Sequence, residues 1–404
     1  MRRNPVKNKD SDSSSTTANT IMPEKTFQAD LDFLRSHFTA HVLKNDEGAR
    51  AAVVPELQGR TMTCSSNGDE GQSYGYIKYD AFGQETLDPQ INLYGGEDRI
   101  WISPEGGQFS VFFDPDVPMT YENWRTPPVL DSETWDVSEK SDTSITFEKS
   151  KPMMNMSGFT FDLKMHRQIN LLDRQTVAGH LKTNLNSLSV VGHESINTLA
   201  NGGDKPWKEE TGLIGLWLIS MNKPSPTASL IVPFRKGDVA DLGKIVEANY
   251  FGELDSSRLA VNEEAGLIFL KGDGDFRSKL GLSQQRALPY MGSWDAQRQV
   301  LTVVQFNMPA EAPHGYTNNL WEFQEQPFAG DVINGYNDGP NESGGKLGGF
   351  YELETVSPAL ALQPGESFMH LHRTVRMAGD RSELDAVCND VFGVSLDLVE
   401  SQLG

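Results

Sequence analysis

Apolar residues in this chain recur mostly in short runs broken by turn residues, and only rarely at helical spacing. Phe27, Leu31, Leu34 and Phe38 are the first exception and predict one short amphipathic helix near the N-terminus. From about Ala51 the pattern changes. The segments SVFFDP, SITFEK, FTFDLKMHRQINL, TASLIVPF, GLIFLKG and VLTVVQFNM are β-branched or aromatic and bounded by Gly, Pro, Asn or Asp, as strands are. They continue to Met377, after which Leu384, Val387 and Val391 predict a closing C-terminal helix. So many strands must close, curl or pair sheet on sheet, which makes a large antiparallel β-sandwich the expected architecture. Residues 1–23 are rich in Ser, Thr, Asn and Lys with no apolar period and read as a disordered tail; 24–404 reads as a single domain.

Composition narrows the partners. The 404 residues carry a formal net charge of -21, a field that repels nucleic acid and anionic membranes and leaves neutral ligands such as sugars unaffected. No apolar run approaches the ~20 residues needed to span a bilayer. Met1–Lys9 is basic, but DSDSSSTTANT follows where a signal sequence would be hydrophobic, so no secretory signal is visible. A cytoplasmic protein and an exported mature form both fit. The two cysteines, Cys64 and Cys388, form neither a disulfide framework nor a CxxC metal site.

Candidate chemistry concentrates near the C-terminus. In FMHLHRTVRM, strand alternation puts Met369, Leu371, Val375 and Met377 on one face and His370, His372 and Thr374 on the other. In YELET the same rule puts Glu352 and Glu354 together. If the two strands pair as a hairpin across VSPALALQPGES, Glu354 faces His370 and Glu352 faces His372. Such a group could act as an acid–base pair, or hold a divalent metal at His370 and His372; HxH and ExE also occur on plain solvated sheet faces. NLYGGEDRIWISPEGG sets Arg99 and Trp101 beside Gly-rich backbone, a Trp being able to stack on a sugar ring. Trp207 and Trp321 stand next to acids, and Asn337 lies in the polar run NGYNDGP, an inventory that suits a hydroxyl-rich small molecule or oligosaccharide. His193 sits at the edge of an apolar strand. There is no phosphate loop, GxSxG or HExxH.

LETVSPA followed by LQPGES resembles the aldose 1-epimerase (galactose mutarotase) family. The resemblance implies a galactose mutarotase-like β-supersandwich with short terminal helices, no cofactor, and Glu354 as the base that takes the anomeric hydroxyl proton. Arg99 in GGEDRIW corresponds more loosely to the family's sugar-binding arginine. Where that family has its acid histidine, SINTLANGG carries Asn197 and Thr198, so His370, His372 or the displaced His193 would have to serve. The whole chain resembles a bacterial branch of this superfamily more than a true mutarotase. The expectation is therefore a carbohydrate-active protein, an isomerase of the epimerase type if it is an enzyme. A non-catalytic sugar-binding module and a polysaccharide lyase or hydrolase are the alternatives.

Overall fold

The computed structural model describes residues 25–340 and 344–403; the tail expected at 1–23 lies outside them. The fold is all-β, with every strand pairing antiparallel. A ten-stranded sheet runs in the order Leu259–Asn262, Leu267–Lys271, Ala228–Pro233, Tyr290–Asp295, Val300–Phe306, Ser367–Ala378, Ser189–Asn201, Thr160–Leu172, Ser144–Met154, Asp136–Lys140. A five-stranded sheet runs Ser278–Leu282, Ile333–Asn337, Tyr351–Val356, Gly215–Asn222, Arg99–Ser103. His41–Lys44, Arg50–Val54 and Arg60–Ser65 make a third, small sheet.

The two large sheets pack face to face. Tyr351 reaches across to the Ser293 hydroxyl at 2.9 Å, and Thr355 reaches across to His370 and His372. Tyr351, Leu353 and Thr355 therefore face inward, and Glu352 and Glu354 must face outward. On the far side of the ten-stranded sheet, Val375 and Met377 lie under Val177, Leu384, Val387, Phe392 and Val399. These belong to the helices Arg174–Leu181, Arg381–Phe392 and Leu396–Ser401, so the predicted C-terminal helix is one of three that seal that surface. The predicted N-terminal helix spans Phe27–Arg35, with the Thr26 hydroxyl accepting from the Ala29 amide.

Two expectations need correction. SVFFDP is not a strand. Val111, Phe112 and Phe113 are buried but join no sheet among the described residues; Phe112 packs against Trp124 and Phe113 against Trp321. The hairpin YELET/FMHLHRT does not form either: Tyr351–Val356 pairs with Ile333–Asn337 and Gly215–Asn222, whereas Ser367–Ala378 pairs with Val300–Phe306 and Ser189–Asn201. The connection between them crosses from one sheet to the other.

A polar seam runs through the interior. Glu97 accepts hydrogen bonds from the Cys64 amide (2.7 Å) and from Arg376 Nε (2.9 Å), while Arg376 also donates to Thr302 and Asn222. Burial works against the Glu97 charge, but Arg376, with His193 and Cys64, holds its carboxyl down to about 2. Removing one member of such a pair strands the other charge. Glu97→Gln is expected to destabilise the fold by about 3–5 kcal/mol in urea unfolding at neutral pH. The folded-state value lies below the unfolded one, so this stabilisation is present above pH 4.5 and fades as pH falls toward 2. A change below about 1 kcal/mol would contradict a structural role for the pair.

Candidate active site

The outward face of the five-stranded sheet carries the second polar group, and cross-strand register assembles it. Arg99 and Glu354 both stand opposite Ile219, and Asn334 stands opposite Glu354. One step along, Tyr336 lies between Glu352 and Lys279, and Trp101 and Val356 flank Trp217. Directly opposed residues in antiparallel strands share a face, so Arg99, Trp101, Trp217, Lys279, Tyr336, Glu352 and Glu354 form one surface. Glu354 Oε2 accepts from Trp217 Nε1 at 2.9 Å and lies 3.7 Å from Lys279 Nζ; Glu352 meets Arg99 at 3.3 Å. The Arg99 guanidinium sits 4.4 Å over the Trp101 ring, and Lys279 5.2 Å from the Trp217 ring.

Loops close over this surface. Tyr250 hydrogen-bonds Asp331 and lies 5.5 Å from Lys279. Gly281 makes room for that pair: a Cβ there would come within 2.7 Å of the Tyr250 hydroxyl. Trp124 is near Trp101 and stacks on Trp321 at 5.9 Å, extending the aromatic wall outward. Glu354 is only 1% exposed and Glu352 7%. Burial, opposed by Arg99 and reinforced by Glu354, holds the Glu352 carboxyl well above the usual carboxylate range. Burial likewise pushes Glu105 up to about 7, against the pull of Lys279 and with the push of Glu354.

The histidines are elsewhere. His193, His370 and His372 are buried between the sheets, on the opposite side of Tyr351–Val356 from both glutamates. The Thr355 hydroxyl bridges His370 Nε2 (2.9 Å) and His372 Nδ1 (3.0 Å). Burial depresses these imidazoles to about 3 and about 4, so both are neutral near pH 7 and are structural hydrogen-bonding groups rather than acids facing a ligand.

As for metal, His370 and His372 gather no third ligand among the described residues. The cluster that does form there is Cys64, Glu97 and His193. Arg376 already occupies the cationic position beside Glu97, and burial raises the Cys64 thiol, so the trio reads as part of the ion-paired seam.

Of the other residues expected from sequence, Arg99, Trp101 and Glu352 join Glu354, and Trp321 belongs to the loop wall. Trp207 is core, edge-on to Phe161, and Asn337 faces inward, where its side chain accepts from the Gly274 amide and donates to the Phe276 carbonyl. Tyr336, in the polar run NGYNDGP singled out from sequence, joins the face, whereas sequence reasoning missed Lys279, Trp217 and Glu105. Strand parity in GLWLIS and SKLGL offered the one signal, but only with the register known.

The raised Glu352 carboxyl has a measurable sign. The unfolded chain loses this proton first, so the folded state is penalised as pH rises from 4.5 through neutrality. Glu352→Gln should flatten that part of the stability–pH curve in urea titrations between pH 5 and 8. An unchanged slope would mean Glu352 is ionised in the fold.

No curated protein matches this chain. Solved structures with a similar fold include the Slr1438 protein of Synechocystis sp. PCC 6803, with 14% identity, TM-score 0.48, and 84% of this chain against 96% of that one. A putative aldose 1-epimerase of Escherichia coli K12 has 11% identity, TM-score 0.45 and coverage of 84% and 99%. A GalM/aldose epimerase homologue from C. elegans has 13%, 0.47, and 85% and 100%. A family model matches residues 25–403, and the chain therefore belongs to DUF6786, a family of unknown function.

Proposed function

We propose that the outward face of the five-stranded sheet binds a sugar and interconverts its anomers. One observation carries this reading: Glu352 and Glu354 stand side by side on a buried face with Arg99, Lys279, Trp101 and Trp217. Two carboxyls in unlike surroundings can divide acid and base work. Glu354, facing Lys279 and the Trp217 N–H, acts as the base that removes the anomeric hydroxyl proton. Glu352, held protonated by burial, donates to the ring oxygen. The ring opens, C1 turns, and reclosure from the other face reverses both transfers. Arg99 and Trp101 orient the sugar by hydrogen bonding and by ring contact. The inward-facing histidines have no part in this chemistry, unlike the assignment the sequence invited.

A second reading has its own support. Both glutamates are already engaged, one with Arg99 and one with Lys279, which suits a site that binds sugar without turnover. Polarimetry or NMR of anomer exchange decides between them. Wild type should accelerate exchange of at least one sugar over buffer, and Glu354→Gln should lose about 10²-fold or more of that acceleration. Saturable binding in calorimetry with no acceleration would establish the binding module. Neither binding nor acceleration with any sugar would end the carbohydrate reading.

A further inference from the structure

Beyond Arg99 and Lys279, which contact Glu352 and Glu354, this face holds a third cation. Arg277 has the same strand parity as Lys279 and stands at its edge, where its Nε donates to the Tyr336 hydroxyl at 3.2 Å and its guanidinium lies 4.1 Å over the Phe251 ring. The Tyr336 hydroxyl in turn donates a hydrogen bond to Asp338, whose other oxygen accepts from the Gly348 and Gly349 amides. Nε is thus held and the planar fork fixed in direction, while Nη1 and Nη2 have no acceptor among the described residues. Arg99 and Lys279 each have a carboxylate in contact, and Arg277 has none among the described residues. The remaining buried polar atoms without a partner on this face, Arg99 Nε and Asn334 Nδ2, are also donors. A ligand that completes the site must bring acceptors.

Resting on the sugar-site reading, we propose that the ligand is an acidic sugar of the uronate class, with its carboxylate seated on the Arg277 fork and its ring toward Glu354. A single guanidinium on an aromatic face matches one planar, singly charged carboxylate bidentately. A phosphate dianion would call for a second cation beside the fork, and Lys279 and Arg99 lie instead against Glu354 and Glu352. The net charge of -21 does not oppose this at close range, because exposed charges beyond about 8 Å are screened at physiological salt. Local geometry decides.

Calorimetry and anomer-exchange NMR with D-galacturonate, D-glucuronate, D-galactose, D-glucose and D-glucose 6-phosphate test the proposal on the full chain. A uronate should be preferred over its neutral counterpart by about tenfold or more, with the preference shrinking as salt rises. Arg277→Gln should bring that ratio toward one, and Arg277→Lys should keep part of it. The ratio is read within each variant, so a general loss of folded protein does not mimic the result. Equal use of neutral and acidic sugars by wild type would overturn the uronate inference while leaving the sugar site standing. Preference for the 6-phosphate over both uronates, or an unchanged ratio in Arg277→Gln, would also overturn it. Failure with every sugar would remove both readings together.

Discussion

The Glu97–Arg376 pair joins all three sheets. Glu97 takes the Cys64 amide from the small sheet, and its own carbonyl accepts the Ser220 hydroxyl from the five-stranded sheet. Arg376 comes from the ten-stranded sheet. A buried carboxylate is tolerable only when paired and hydrogen-bonded on most sides, and here the partners come from separate sheets. Asp98 adds a second lock beside it, 3.0 Å from Arg167, which also binds the Asp98 and Gly59 carbonyls and the Asn197 side chain. The chain leaves this double anchor at Arg99, the first residue of an edge strand and the first to turn its side chain outward. What positions Arg99 on the outward face is therefore the charge pairing one and two residues before it.

The same alternation separates two kinds of polar residue along Tyr351–Val356. Inward Tyr351 and Thr355 satisfy groups of the opposite sheet. Outward Glu352 and Glu354 meet cations that leave some of their hydrogen-bonding capacity unused. The inner layer is closed to solvent and extensively hydrogen-bonded, although Nδ1 of His193 and of His370 have no hydrogen-bond partner among the described residues. The outer layer has donors without partners, at Arg99 Nε and Asn334 Nδ2, and a Glu352 carboxyl raised by burial, features that support the proposed site there. On the proposed reading, chemistry and stability are thus divided between two faces of one strand.

Much of this was legible in the sequence because it is local. Strand runs, both terminal helices, and the facing of Glu352 with Glu354 and of His370 with His372 follow from period alone. The likeness of LETVSPA to the aldose 1-epimerases pointed to Glu354, and GGEDRIW to Arg99, and the two side chains do share a face. Pairing was not legible. VSPALALQPGES reads as a hairpin connection because Pro and Gly serve equally in a turn and in a crossover between sheets, and the difference lies in where distant strands dock. That one misjudgement put the histidines on the wrong side. Lys279 and Trp217 were invisible for a related reason: each reaches the site only through its register with strands far away in sequence.

The central claim is that ligand chemistry sits on the outward face and not in the seam. A crystal structure with a bound uronate or neutral sugar tests it most directly. The account predicts the ring within hydrogen-bond distance of Glu354 and Arg99, beside Trp101 and Trp217. Sugar lodged between the sheets against His370 and His372, with the Glu354 face unoccupied, would contradict it.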